Sequence, residues 1–335
     1  MLPRAILVAV LLAALAVAGC GGASDSSDDS AAAGASGGKG STQLSLVAYS
    51  TPQVVYDEII PAFQETAAGK GVAFKTSYGA SGDQSRAVEA GQKADVVTFS
   101  VEPDVTRLVD AGLVAPDWQD APHKGLVTTS VVSFIVRKGN PKSIRTWDDL
   151  LKPGVEVLTP NPFTSGAAKW NVLGAYGYGG LGYVKRLLGQ HVKVQPKSGR
   201  EALQTFIAGK GDVLLSYEYE ATTAQKKGES LDYVVPDDTI RIDIPMAVTK
   251  NAPPQARAFR DYVVSKPAQE QFASWGYRPV DASVLQANRS KFPTPAKLYG
   301  IERFGGWSKV NDELFDPDTG SIARIEDGLG VQTSK

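Results

Sequence analysis

From residue 44 onward, the apolar and polar positions of the chain alternate between two patterns. Short runs rich in valine, isoleucine and leucine predict buried strands. Between these runs, apolar residues recur three or four positions apart, as at Val55, Ile59 and Phe63, which is typical of amphipathic helices. Strands that alternate with helices predict an α/β fold built on an open sheet. The predicted strands cover residues 44–49, 72–78, 94–99, 127–136, 155–158, 192–194, 211–217 and 240–248.

Four of the predicted strands are each followed by a serine and then by a helical pattern. In three cases Gln or Glu stands three residues after the serine, which is the capping-box spacing and predicts that the serine caps the helix. One such turn indicates an ordinary helix cap. Four of them at the carboxyl edge of one open sheet favour a site for a small, multiply charged anion, because helix starts present unpaired N–H groups. The four serines are Ser50, Ser81, Ser165 and Ser198.

Composition limits the class of protein. The chain is 42% hydrophobic and 21% charged, which is normal for a folded protein. Its 335 residues are too many for one compact core, so two lobes are expected. The formal net charge of −1 gives no basic excess, so we expect no nucleic-acid partner. An anion would therefore be held by local dipoles.

The N-terminus predicts export and a lipid anchor. Arg4 precedes an apolar stretch, residues 5–18, that is shorter than the ~20 residues needed to span a bilayer. The sequence that ends at Cys20 is similar to a bacterial lipobox, which predicts that residues 1–20 are a lipoprotein signal peptide cleaved before a lipid-modified Cys20. Cys20 is the single cysteine, so internal disulfides and a multi-cysteine metal site are excluded. Residues 21–41, mostly Gly, Ala, Ser and Asp, predict a flexible linker.

A central block of the sequence carries a family resemblance. The block comprises residues 132–142, 147–150, 152–155, 159–162 and 170–171, and shorter segments of the same kind lie at residues 94–98, 211–214, 277–279 and 304–307. On these residues the chain resembles, from about Leu44 to Phe315, the sulfate- and thiosulfate-binding proteins of bacterial ABC importers.

This resemblance implies a two-lobed periplasmic-binding-protein fold (type II) of the α/β class, with two hinge crossovers. The expected first lobe comprises residues 42–128 and 247–335, and the second comprises residues 129–246. Hinges are expected near residues 128–130 and 244–247. The implied protein is a monomer on the extracytoplasmic face of the membrane that captures sulfate or thiosulfate between its lobes. It delivers the anion to an ABC permease with its ATPase subunits, needs no cofactor or metal, and is not an enzyme.

The resemblance also implies which residues contact the ligand, and it shows four departures from the family. The family usually has Asp at position 50, a second Gly at position 167 and often Trp at position 217, and its arginine comes one residue later than position 200. Backbone donors survive these changes, so anion binding is still expected. The choice among sulfate, thiosulfate and a related oxyanion stays open, because the departures lie at the implied contact positions. The implied contacts are Ser50, Ser81, Gly82, Ser165, Gly166, Ala167, Gly199, Arg200 and Tyr217.

Proton chemistry bears on the choice of anion. Ionised sulfate only accepts hydrogen bonds, whereas hydrogen phosphate carries a proton that needs an acceptor. Asp83 and Glu201 lie near two helix starts and could supply that acceptor, which would favour phosphate. We interpret them as solvated first-turn residues. Arg200 either braces the site or lies on the surface, and Tyr217 either donates to the anion or packs in the cleft wall.

Two other classes of function rank lower. Residues 79–83, around Ser81, differ by one position from the nucleophile elbow of a serine hydrolase. The candidate bases, His123 and His191, lie outside any motif. Residues 217–220 could suggest a ferric site, but they include no histidine. Molybdate or phosphate binding is the nearer alternative.

Overall fold

In the computed structural model, the described residues are 42–333, and they form a sheet with helices packed on it. The strands are β1 (Thr42–Tyr49), β2 (Val72–Gly79), β3 (Val96–Thr98), β4 (Leu126–Arg137), β5 (Val157–Leu158), β6 (Val192–Val194), β7 (Val213–Tyr217), β8 (Leu231–Val234), β9 (Asp238–Val248), β10 (Arg278–Pro279) and β11 (Lys297–Tyr299). The helices are α1 (Gln53–Gln64), α2 (Ser81–Glu89), α3 (Glu102–Asp110), α4 (Gly166–Arg186), α5 (Gly199–Ile207), α6 (Glu218–Lys226), α7 (Pro254–Val263), α8 (Lys266–Ser274), α9 (Ala282–Ala287), α10 (Trp307–Val310) and α11 (Ser321–Gly328).

The sheet consists of two parallel groups joined by two long strands. The strand order is β2-β1-β3-β9-β4-β7-β5-β6. β1 runs parallel to β2 and β3, and β5 runs parallel to β6 and β7. β4 and β9 are antiparallel to each other, and each is also antiparallel to a strand of one group. The predicted α/β class and all eight predicted strands are confirmed.

The two long strands are the crossovers between the groups. The first half of β4 pairs with β9, and its second half pairs with β7. The last residues of β9 pair with β3. The predicted hinge segments meet in this pair at Thr128, which lies opposite Ile244, whereas Ser130 lies opposite Ile242, two residues before the second segment. We therefore retain residues 128–130 and 244–247 as the proposed hinges, and the groups on either side as the proposed first and second lobes.

The C-terminal segment lies against the second lobe. β11 pairs with the start of β9. The Tyr299 hydroxyl donates to the Gly174 carbonyl in α4 (3.2 Å), and the Asn161 amide donates to the Gln332 carbonyl (3.1 Å). For this reason we propose that the first lobe ends before β11, rather than at residue 335 as the sequence suggested.

Apolar side chains from the predicted helical faces fill the core. Val55, Ile59 and Phe63 on α1 are all fully buried. Phe63 packs edge-on against Phe259 of α7, with ring centroids 5.2 Å apart, so α1 and α7 cover the same face of the first lobe. Three strands were missed: β8, β10 and β11. Of these, β8 is a four-residue segment that includes Asp232, and it forms by pairing with β4.

None of the helices in residues 42–333 combines the length and apolar character needed to cross a bilayer. The predicted signal peptide, the linker and Cys20 lie outside the described residues.

Candidate functional site

The strand–helix turns predicted from sequence converge on one small cavity. It lies between the proposed lobes and has a volume of about 10 Å³. None of the residues that line it, all within the described part of the chain, has a charged side chain. The lining consists of Tyr49, Ser50, Thr51, Gly79, Ala80, Ser81, Ser100, Ser165, Ala167, Ser198, Gly199 and Tyr217.

Six of the nine residues that the resemblance implied as ligand contacts therefore lie together, and three lie outside the lining. Gly82 donates its N–H to the Thr164 carbonyl (3.1 Å), which connects the start of α2 in the first lobe to the loop before α4 in the second. Gly166 lies against the loop after β3. A Cβ atom at position 166 would stand 2.9 Å from Val101 Cγ2 and closer still to the Ser100 hydroxyl. Both glycines therefore mediate contact between the lobes.

Arg200 bridges the two lobes. Its Nη1 donates to Gln53 Oε1 (2.7 Å), and its Nη2 donates to the Ser50 carbonyl. These bonds run from the first turn of α5 to the turn between β1 and α1. The geometry favours the bracing role over a surface position, because the guanidinium is committed to protein acceptors.

Ser81 has a different environment from the one predicted. It is the first residue of α2 and not its cap. Its hydroxyl donates to Asp104 Oδ2 (2.5 Å) and accepts from the Ser100 N–H (3.0 Å). Since the hydroxyl proton is already used, the Ser81 backbone N–H is the donor left for an anion.

Asp104 was not predicted from the sequence. It is buried in the first turn of α3, and desolvation raises the pKa of its carboxyl, opposed by the charge of Lys169 and by the hydrogen bond from Ser81. No local signal could have revealed this pair, since the two residues are 23 positions apart.

Two further helices begin at the cavity. Ser198 Oγ accepts from the Glu201 N–H (3.2 Å), which confirms the predicted cap of α5. Ser165 occupies the cap position of α4 but makes no capping bond with its side chain. At Ser50 the capping prediction is wrong, because α1 begins at Gln53 after Pro52. The starts of α4 and α5 both contribute positive dipole ends to the cavity.

Among the residues that line the cavity, Tyr217 has the one buried aromatic hydroxyl without a hydrogen-bond partner of acceptable geometry. The side chain is fully buried. Burial raises its pKa well above 10, an effect that the nearby Ser100 hydroxyl partly offsets. The phenol therefore stays protonated, and this geometry favours its role as a donor.

The two lower-ranked functions receive no support from the site. His191 Nδ1 is hydrogen-bonded with the Val155 carbonyl (3.0 Å), and neither His191 nor His123 lines the cavity, so Ser81 has no histidine base beside it. Within residues 42–333 there is no cluster of three or more His, Cys, Asp or Glu side chains able to hold a metal ion. Glu218, at the suggested ferric site, is instead paired with Arg278 (2.7 Å).

The acidic residues that could have favoured phosphate lie outside the cavity lining. Asp83 forms ion pairs with Arg86 and with Lys197 (3.2 Å). Glu201 Oε2 accepts from the Lys197 N–H (3.2 Å). Both residues lie in a first helical turn, as interpreted from the sequence, but they are half-buried and bonded to neighbouring groups rather than solvated.

Similarity to known proteins is high along most of the chain. A family model described as bacterial extracellular solute-binding protein matches residues 44–278. A sulfate-binding protein of Synechococcus elongatus is 38% identical over 311 residues, which cover 86% of this chain and 87% of the relative. The chain belongs to this family.

Two more relatives support the same assignment. A thiosulfate-binding protein of Pseudomonas aeruginosa is 35% identical over 292 residues, which cover 80% of this chain and 88% of the relative. The solved structure of the sulfate-binding protein SubI from Mycobacterium tuberculosis H37Rv superposes with a TM-score of 0.80 at 47% identity, covering 82% of this chain and 100% of that chain. The predicted family and the two-lobed type II fold are both confirmed.

Proposed function

We propose that this protein is the extracytoplasmic sulfate- or thiosulfate-binding component of an ABC importer. The observation that carries the proposal is the uncharged cavity at which α2, α4 and α5 begin and into which Tyr217 brings an unpaired hydroxyl. The names of the curated relatives, sulfate-binding and thiosulfate-binding protein, support the same class of ligand.

The cavity would hold a divalent oxyanion through neutral donors. Helix-start N–H groups at Ser81, Ala167 and Gly199 are the proposed backbone donors, and the Tyr217 hydroxyl is the proposed side-chain donor. A dianion that leaves water must regain hydrogen bonds on each oxygen. Three helix dipoles add positive potential from different directions, so no cationic side chain needs to touch the ligand.

The same set of donors discriminates against phosphate. Hydrogen phosphate carries one proton, and the residues that line the cavity include no carboxylate to accept it. The nearest acidic group bonded to a lining residue, Asp104, already accepts the Ser81 hydroxyl. An unpaired buried hydroxyl costs about 1–3 kcal/mol, which corresponds to roughly tenfold to a hundredfold weaker binding.

Membrane attachment and delivery complete the proposal. Lipidation of Cys20 would tether the monomer to the extracytoplasmic face of the membrane, and the loaded protein would pass the anion to the permease. Mass spectrometry of the mature chain should find an acylated N-terminal Cys20. An unmodified mature chain would refute the anchor without affecting the proposal for the ligand.

A titration series tests the ligand class. Calorimetry at pH 7 with sulfate, thiosulfate, molybdate and phosphate should show sulfate or thiosulfate binding at least tenfold more tightly than phosphate. Tighter binding of phosphate or molybdate would overturn the assignment. The relative affinities of sulfate and thiosulfate come from the same series.

A further inference from the structure

A buried carboxyl group lies directly behind one of the proposed donor turns. Glu220, in the first turn of α6, is only 3% exposed, and the Ser216 hydroxyl donates to its Oε2. A Cβ atom at Gly199 would stand 3.6 Å from the same Oε2 and 3.7 Å from the Ala167 side chain. The carboxyl group therefore stands immediately next to the start of α5, although Glu220 is not among the residues that line the cavity.

The other face of Glu220 lines a groove of about 420 Å³ between α1 and α6. The charged groups along this groove are Asp57, Arg200, Lys227 and Glu229. No ion pair formed within residues 42–333 includes Glu220. Arg200 acts on it only through its charge, because the guanidinium is bonded to the Ser50 carbonyl and to Gln53. The groove gives protons access to a carboxyl group that has no ion-pair partner.

The remaining titratable neighbours of Glu220 are tyrosines. Burial raises the pKa of each of them above 10, so they are neutral at physiological pH. They cannot compensate a negative charge on Glu220. These neighbours are Tyr49 on β1, Tyr217 on β7, Tyr219 on α6 and Tyr277 after α8.

Burial raises the pKa of Glu220 to about 7, opposed by the Ser216 hydrogen bond and by the charge of Arg200. The carboxyl group is thus half-protonated near neutral pH before any ligand enters. A doubly negative ion bound at the Gly199 N–H raises the free energy of the ionised form further, because like charges repel strongly where water is excluded.

We propose that Glu220 is a proton-coupled specificity residue: it holds a proton whenever the cavity holds a divalent oxyanion, so the anion and one proton are bound together. This inference rests on the proposed function. Below pH 7 the proton is already present, and binding is independent of pH. Above pH 7 the proton must be taken up with the anion, and the affinity falls by up to tenfold per pH unit.

Calorimetry with sulfate from pH 6 to pH 9, in pairs of buffers that differ in ionisation enthalpy, measures both effects. The wild-type protein should lose at least tenfold in affinity between pH 6.5 and pH 8.5 and take up close to one proton per ion at pH 8.5. Glu220→Gln keeps an acceptor for the Ser216 hydroxyl but carries no charge. Its affinity should therefore be independent of pH, with no proton uptake.

Two further variants make the result specific to Glu220. Glu326 is also buried and also has its pKa raised to about 7, but its carboxyl group is bonded to Gln195 and does not lie beside Gly199, so Glu326→Gln should retain the pH dependence of the wild type. Ser216→Ala removes the hydrogen bond that lowers the pKa of Glu220, so the fall in affinity should begin at higher pH. This variant tests the proposal even if Glu220→Gln fails to fold.

The possible outcomes separate the two proposals. A wild-type affinity for sulfate that does not change with pH overturns the coupling and leaves the proposed function intact. A Glu220→Gln protein that keeps the wild-type slope also overturns it, because another group would then be titrating. If phosphate is the tightest ligand in the series of four anions, the proposed function fails. The coupling then fails separately if the wild type and Glu220→Gln show the same pH dependence with that anion.

Discussion

The hydroxyl of Tyr217 is a buried donor at the cavity that has no hydrogen-bond partner within the described residues, and its removal tests the proposed ligand contact directly. Tyr217→Phe keeps the ring packed edge-on against Tyr49, whose centroid is 6.5 Å away, and deletes one donor. A hydrogen bond to an ionised acceptor contributes about 1.5–3 kcal/mol, so calorimetry should show sulfate affinity reduced roughly tenfold to a hundredfold.

A second tyrosine provides the control for this substitution. The Tyr183 hydroxyl is buried and donates to the Trp147 carbonyl, away from the cavity. Tyr183→Phe should lower the stability of the protein and leave sulfate affinity unchanged. If Tyr217→Phe binds sulfate as tightly as the wild type, the tyrosine only packs in the cleft wall.

Glu326 on α11 predicts how the stability of the protein depends on pH. Its side chain is fully buried, and Gln195 Nε2 donates to its Oε2 (2.8 Å). Burial raises its pKa from 4.5 to about 7, opposed by the bond from Gln195. The folded state therefore holds this proton more tightly than the unfolded state. The corresponding stability is complete below pH 4.5 and is lost as the pH rises through 7.

Urea unfolding of Glu326→Gln at pH 5, 6, 7 and 8 measures this effect. Relative to the wild type, the free energy of unfolding of the variant should rise with pH, by about 2–3 kcal/mol in total. Glu65 is exposed, and Glu65→Gln should follow the wild-type profile at every pH. A constant difference between Glu326→Gln and the wild type would contradict the raised pKa.

At the scale of the element, sequence patterns predicted the strands and helices that form through local interactions. The run at residues 127–136 is long and continuously apolar, and it forms the central part of β4. β8 escaped prediction because a segment as short as Leu231–Val234 becomes a strand only by pairing with β4, more than 90 residues away in sequence.

The helix starts also show that sequence spacing does not predict contacts between distant parts of the chain. Ser198 caps α5 as its spacing with Glu201 predicts. The spacing at Ser81 is equally good, yet its hydroxyl bonds Asp104 on another helix. Glu220 stands next to the start of α5 only because α6 packs beside α5. Motifs thus predicted which turns meet at the cavity. They could not predict the buried carboxyl groups around it, which depend on long-range packing.

The start of α4 shows how closely the elements approach each other. Gly166 packs against the loop after β3, where a Cβ atom would stand 2.9 Å from Val101 Cγ2. Gly166→Ala should push α4 away from that loop and misplace the N–H groups of its first turn. We expect sulfate affinity to fall tenfold or more in calorimetry, because a displacement of about 1 Å impairs a site built from fixed donors.

Gly182, in the same helix, provides the matched control. A Cβ atom there meets no other atom within 4 Å, so Gly182→Ala should bind sulfate like the wild type. If Gly166→Ala also binds like the wild type, the contact between α4 and the loop after β3 does not set the geometry of the cavity.

At the scale of the whole molecule, we interpret this conformation as the closed one, because hydrogen bonds connect the two proposed lobes. Gly82 donates to the Thr164 carbonyl (3.1 Å), and Trp170 Nε1 donates to the Ser100 carbonyl (2.7 Å). Arg200 adds its bonds to the turn after β1. All of them cross the cleft, whereas the paired segments of β4 and β9 cross between the lobes behind it. Opening around β4 and β9 would break the hydrogen bonds that cross the cleft and keep the pairing between these two strands.

Closure should therefore depend on the anion. At a concentration one hundred times the Kd, a ligand that binds only the closed form stabilises that form by about 2.7 kcal/mol, which turns a tenfold excess of open molecules into a tenfold excess of closed ones. Small-angle scattering should show a smaller radius of gyration with sulfate than without it, and the curve with sulfate should match this structure. Phosphate at the same concentration should close a smaller fraction of the molecules, because its affinity is expected to be at least tenfold lower. Identical curves with and without sulfate, in a sample that calorimetry shows to be saturated, would mean that the lobes are closed before the anion arrives and that the β4 and β9 segments do not act as hinges.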